Sequence, residues 1–153
     1  MADVVPPEVR SRMMAGIRGK NTMPELLVRR ALHAEGFRYR LHDAKLPGKP
    51  DMVFPKHRAA VFVHGCFWHG HDCHLFRLPA TRPEFWLAKI QGNVARDGRA
   101  IDALRQHGWR VGTVWECALK GRTRMPAGEV SAHLAEWLRS DSATFEAEGL
   151  KHD

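Results

Sequence analysis

The chain predicts a small mixed α/β domain whose elements run helix, helix, three strands, helix, strand, helix. Three observations carry this. The 153 residues are 44% apolar and 27% charged, the proportions of an ordinary globular domain with one core. Apolar residues recur at helical spacing in two N-terminal segments, one long central segment and one segment near the C-terminus. Between them lie short runs rich in Val and Phe, bounded by Pro and Gly, which read as strands. No repeat, low-complexity tract or linker-like stretch divides the chain, so residues 1–153 are read as a single domain.

In order, "EVRSRMMAGIRG" (8–19) is a short basic amphipathic helix ended by Gly19, within a basic N-terminal arm of residues 1–20. The second helix begins at Thr22, with Glu25 three residues later in a capping-box pattern, and stops at Gly36. Leu26, Leu27, Ala31 and Leu32 form its apolar stripe. "FRYRL" (37–41) alternates like a half-buried strand, and "LPGKP" is a loop. "DMVF" and "AAVFVH" are adjacent strands around the turn signal "PKHR". A long helix covers 83–107 with Phe85, Trp86, Ile90, Val94, Ile101 and Leu104, and Gly108 ends it. "WRVGTVWE" (109–116) is the last clear strand. "AGEVSAHLAEWLRS" is a final amphipathic helix, part of a C-terminal helix and tail over 125–153.

Lys and Arg number 24 against 17 Asp and Glu, a formal net charge of +7. That balance favours a polyanionic partner, nucleic acid ahead of an anionic membrane surface. The N-terminus carries an acid and two prolines where a signal peptide needs an apolar stretch. The longest clean apolar run, "AAVFV", is far too short for a bilayer. Three widely spaced cysteines do not make a disulfide framework, and the expected compartment is a reducing cytoplasm.

The densest chemistry sits in "HGCFWHGHDCH", residues 64–74. Structural zinc sites surround the ion with four N or S donors. Cys66, His71 and Cys73 lie close enough to wrap one ion, and Cys117 after the last strand could supply the fourth donor. The competing reading is exposed loop histidines beside ordinary buried thiols. That set uses every cysteine in the chain. His74 stands beside it as a competitor for the place of His71. His64 and His69 are then spare, and imidazoles titrating near neutrality suit proton transfer. Without such roles they would be plain loop or core histidines. Asp51 opens a strand whose neighbour ends in "VFVH"; a carboxylate and a strand-end donor brought together there can hold Mg²⁺. Glu25 could orient the ion's waters, although the capping box alone accounts for it. Phe67, Trp68 and Trp86, with Met14 and Ile17 on the basic helix, are candidate wedges for a DNA base step, against a competing reading as core.

The segments "RSRMMAGIRGKNTMPE", "LPGKPDMVF", "VFVHGCFWHGHDC", "FRLPATRPEFWLAKI" and "NVARDGRAIDALRQHGWRVGTVWECAL" together resemble the very short patch repair endonucleases, the Vsr family. The likeness runs in order from about residue 8 to residue 122. It implies a fold of the restriction-endonuclease-like, PD-(D/E)XK type with a structural zinc site. It also implies Mg²⁺-dependent nicking 5′ to the thymine of a T:G mismatch left by 5-methylcytosine deamination. By the same resemblance Asp51 and the backbone carbonyl of Val63 bind Mg²⁺, and His64 and His69 are catalytic with Glu25 assisting. Cys66, His71, Cys73 and Cys117 become the Zn²⁺ ligands. Phe67, Trp68 and Trp86 enter the major groove, Met14 and Ile17 the minor groove, and Lys89 and Asn93 approach base edges. The implied partners are double-stranded DNA bearing a T:G mismatch and, downstream, mismatch-repair and repair-polymerase proteins. A cytoplasmic, nucleoid-associated monomer follows. Val63 stands where the family has a threonine, and Gly70 and His74 also depart from its pattern. Two rivals are a zinc-stabilised DNA-binding module without catalysis and a restriction-like nickase with another target.

Overall fold

The computed structural model describes residues 23–150. The predicted helix over 8–19, with Met14 and Ile17, and the proposed cap Thr22 lie outside the described residues. Helix α1 spans Met23–Ala34, followed by strands β1 (Arg40–Leu41), β2 (Met52–Phe54) and β3 (Ala59–His64). Helix α2 (Pro83–Gln106) leads to β4 (Arg110–Trp115), a single turn α3 (Glu116–Leu119), helix α4 (Ala127–Arg139) and β5 (Thr144–Ala147). The five strands form one sheet in the order β1-β2-β3-β4-β5. β1, β2 and β3 pair antiparallel, while β3–β4 and β4–β5 are parallel, joined by α2 and α4 as crossovers. Among the described residues no helix is long and apolar enough to cross a membrane.

The helical layers follow from the two-residue period of β3. Ala59 and Val61 join a large core with Val28 and Leu32 of α1 and Val130, Leu134 and Leu138 of α4. Ala60 and Phe62 point the other way, to Leu104 of α2 and Val111 of β4. With both faces covered, "AAVFV" needs no polar residue, which is why it reads as a continuous apolar run. Fully burying each Leu or Val contributes about 1.5–3 kcal/mol, so the α1/α4 face carries most of the stability.

Four expectations need correction. The stripe of α1 is rotated: Val28 and Leu32 are buried with Glu25 and Arg29, while Leu27 is 45% exposed. A buried Glu25–Arg29 ion pair occupies two of the inward positions and disguises the period. The strand expected over 37–41 is paired only at Arg40 and Leu41. Phe37 is held by its amide against Leu32 and by its ring against Phe54, so it belongs to the core as an anchor. The single turn α3 falls within "WECAL", where no separate helix is expected. Finally, the tail carries a fifth strand. "TFEA" is a polar edge strand with one buried residue, Ala147, so it has no apolar signature.

The chain directions put the candidate site residues at one edge. β3 and β4 end side by side, with His64 opposite Trp115 in register. Antiparallel β2 starts at the edge where β3 finishes, bringing Asp51 to Val63. The "LPGKP" loop before it presses on α2 at Gly48, where a Cβ would lie 2.8 Å from that of Ala100. Gly48 also has a φ of +75°, so both the space and the backbone require glycine.

Candidate functional site

Asp51 accepts a hydrogen bond from the Val63 amide at 2.6 Å through Oδ2. The structure therefore joins Asp51 and Val63, and the bond it draws uses the Val63 N–H. Asp51 Oδ1 lies 3.4 Å from His42 Nδ1. His42 has no counterpart among the sequence expectations. It follows β1 in a left-handed conformation, φ 49°, and nothing in its sequence context marks it. Glu25 is buried on α1, with one carboxylate oxygen paired to Arg29. Its Oε2 is buried without a hydrogen-bond partner among the described residues.

His64 and His69 stack with ring centroids 3.8 Å apart and planes within 7°. Asp97 Oδ2 lies 2.5 Å from His69 Nδ1. Asp97 comes from the middle of α2, 28 residues away, and the sequence reading missed it. Its only signal is an acid in a stretch that also carries Arg96 and Arg99, on the helix face it shares with Asn93, Val94 and Ile101. The three side chains lie close enough to surround a cation. However, ring lone pairs lie in the ring planes, and two parallel planes aim them side by side instead of at one point. The arrangement suits two imidazoles facing one extended anion better than a shared ion. His64 is 7% exposed, and burial pushes its pKa down to about 4, assisted by His69 and opposed by Asp97. It is neutral at pH 7.

Cys66, His71, Cys73 and Cys117 present their donor atoms within 4.8 Å of one another. A tetrahedral zinc–thiolate centre has an edge of about 3.8 Å, so small side-chain adjustments would close the set. His71 Nδ1 faces Cys117 Sγ at 3.6 Å. The Cys117 amide donates to Cys66 Sγ at 3.4 Å, and the Gly149 amide donates to Cys117 Sγ at 3.2 Å. Burial pushes the Cys66 and Cys117 thiols up, so buried thiolates here need a cation beside them. His74 stands outside the set, with Nδ1 3.4 Å from Thr123 Oγ1. The cavity beside the cluster has a volume of about 610 Å³ and includes Arg122, Thr123 and Glu148 in its wall.

Both groups draw on one loop, carrying Cys66, His69, His71 and Cys73, that is pressed on α2. At Gly70, φ +64°, a Cβ would lie 3.0 Å from Val94 Cγ2. Trp115 lies between the groups: His71 stacks on it at 4.2 Å, and His64 meets it at 5.4 Å.

Phe67, Trp68 and Trp86 form a single aromatic cluster, with pairwise centroid distances of 5.1, 5.9 and 6.0 Å. Trp68 is 37% exposed and Trp86 is half-buried, so the cluster is a surface feature and not core. Lys89 Nζ sits 5.8 Å from the Trp68 ring centroid, and Asn93 donates to the Trp68 carbonyl at 2.9 Å. Both residues brace the aromatic loop from α2.

Comparison with known proteins adds to this geometry. Residues 2–75 match a family model described as DNA mismatch endonuclease Vsr. The chain is 45% identical over 152 residues to the DNA mismatch endonuclease Vsr of Escherichia coli K12, covering 98% of this chain and 97% of that protein. It is 52% identical over 119 residues to the type II nicking enzyme V.XorIIP of Xanthomonas oryzae, covering 78% and 88% of the two chains. It is 44% identical over 122 residues to the type II nicking enzyme V.NmeAIP of Neisseria meningitidis, covering 80% and 87%.

Proposed function

Because the chain belongs to the Vsr family of DNA mismatch endonucleases, we propose that it nicks one strand of duplex DNA 5′ to the thymine of a T:G mismatch, by Mg²⁺-dependent phosphodiester hydrolysis. In this reading the mixed α/β sheet is of the restriction-endonuclease-like, PD-(D/E)XK type. The observation that carries the proposal is the edge where β2 meets β3: Asp51 sits on Val63, and His64 follows at once, stacked on the Asp97-held His69.

Mg²⁺ takes oxygen ligands and keeps several waters. Asp51 supplies a carboxylate at this edge and the Val63 carbonyl a second oxygen from the strand end. The unpartnered buried oxygen of Glu25 supplies an acceptor for an ordered water. When bound, the ion supplies charge stabilisation at the scissile phosphate and makes a water more acidic. The remaining work falls to side chains. Asp97 holds His69 through Nδ1, which fixes the ring and leaves Nε2 able to accept a proton from the attacking water. His64, neutral because burial lowers its pKa, offers a hydrogen bond to the phosphate without a competing full charge. The water attacks phosphorus in line as the leaving oxygen departs.

Cys66, His71, Cys73 and Cys117 would hold Zn²⁺ as a structural ion. Held by those four side chains, it would pin the loop that carries Phe67 and Trp68 as a major-groove wedge, with Trp86 beside them and Met14 and Ile17 in the minor groove. An intercalating wedge unstacks a weak pair at lower cost than a matched one, which couples detection of the mismatch to exposure of the backbone. Lys89 and Asn93 approach bases from the helix that braces the wedge. The protein acts as a monomer in the cytoplasm, on the nucleoid, and hands its nick to repair proteins.

The test is nicking of a duplex panel holding T:G, other mismatches and fully paired sites with varied flanks, with and without Mg²⁺. Strand-specific nicking of T:G with Mg²⁺ is the expected result. Equal cutting of the paired duplex would point to a restriction-like nickase. Mismatch binding without cleavage would leave only a DNA-binding module.

A further inference from the structure

The segment after α4 has so far no role, yet four of its contacts run to the cysteine–histidine corner. Glu148 Oε2 lies 2.9 Å from His71 Nε2. The Gly149 amide donates to Cys117 Sγ, and the Leu150 amide donates to the Thr123 carbonyl at 2.7 Å. Glu146 accepts the Trp115 indole N–H at 2.7 Å, and Trp115 is the ring on which His71 stacks. β5 delivers all of these by pairing parallel to β4, from Val111↔Thr144 to Val114↔Ala147.

An imidazole that ligates a metal through one nitrogen carries its proton on the other. His71 turns Nδ1 toward Cys117 Sγ and Nε2 toward Glu148. A carboxylate at Nε2 fixes the N–H there, leaves the Nδ1 lone pair for the ion and raises the basicity of the ring. The Gly149 N–H bond disperses charge on a thiolate at Cys117. Resting on the reading that this cluster holds zinc, we propose that Glu148 is a positioning residue for His71. By the same proposal residues 144–150 dock as part of the metal centre, so that zinc loading and tail docking stabilise each other.

The experiment uses the full chain. Metal analysis of the wild type comes first: one zinc per chain supports the underlying reading, and a metal-free, folded protein overturns that reading and this proposal together. Competition with a chromophoric chelator then gives zinc affinity. Glu148→Ala is expected to weaken it about 10–100-fold, and Glu148→Gln, which keeps an acceptor oxygen, by less. With cobalt in place of zinc, the visible bands should shift in Glu148→Ala, while the metal-stripped forms of variant and wild type melt alike. Stripping zinc from the wild type should speed hydrogen exchange at Gly149 and Leu150 at least about tenfold. Zinc affinity in Glu148→Ala equal to that of a zinc-loaded wild type overturns the role of Glu148. Unchanged exchange at those amides overturns the coupling.

Discussion

The end of β3 and the loop after it contribute to two clusters that both use histidine, and they differ in how their donors are arranged. At Cys66, His71, Cys73 and Cys117 four donor atoms from separate side chains lie within 4.8 Å of one another, and the Cys66 and Cys117 thiols are buried, where a thiolate needs a cation. At His64 and His69 the rings are parallel, Asp97 holds one of them, and the other is buried and neutral. In the proposed function the first set holds an ion and the second faces the substrate. Composition does not separate these cases, because histidine is common to both. Backbone position does, since His64 ends a strand while His71 is bonded through its amide to the Cys66 carbonyl at 2.9 Å, inside the turn that closes the cluster.

The contrast can be broken most severely at the four-donor cluster. Cys117→Ala should remove the metal and several kcal/mol of stability, because binding energy at a structural zinc site is folding energy; thermal melting with metal analysis measures it. A variant that binds no zinc and still melts like the wild type would end the structural assignment. At the other cluster, Asp51→Ala should leave melting and mismatch binding intact while nicking falls by at least about 10³-fold. Nicking at the wild-type rate would remove Asp51 from the mechanism. Asp97→Asn should lower nicking by about 10²-fold without altering zinc content, and single-turnover rates against pH would show whether His69 has lost its orienting partner.

Two smaller effects sharpen the comparison. His64 has a folded-state pKa of about 4, below its ordinary 6.5. The unfolded chain therefore binds the proton more tightly, and the stability His64 contributes is present above pH 6.5 and lost as pH falls toward 4. Denaturant titrations should show a loss of about 3 kcal/mol across that window in the wild type, beyond that in His64→Gln. Any pH dependence arising from the thiols is common to both proteins and cancels. Trp68→Ala should lower the preference for mismatched over matched DNA by about tenfold while zinc content stays unchanged, as expected for a lost stacking surface.

The sequence was most informative where residues act with near neighbours. α2, β3 and β4 appear close to their expected bounds, because long periodic or wholly apolar segments leave little ambiguity. The four-donor cluster was also visible, since three of its members share one loop. What stayed hidden depends on partners far along the chain. Asp97 gains its meaning only when α2 lies against the loop, and Glu148 only when β5 pairs with β4. The inward turn of Glu25 was masked by its own ion pair, as a carboxylate near a helix start is ordinarily assigned to capping or solvent. β5 is a short edge strand paired to β4, and only Phe145 and Ala147 of its residues pack on the core, too few to give an apolar pattern.

Trp115 stacks on His71 and meets the edge of His64, which is itself stacked on His69. One indole thus touches both clusters, and its emission should respond to each. The chain has 5 tryptophans, so a variant retaining Trp115 alone would isolate that signal. Metal loading alters the charge on the stacked imidazole, and protonation of His64 brings a known fluorescence quencher to the ring edge. A single native fluorophore would then follow ion binding and substrate-side titration in one cuvette, with no label attached.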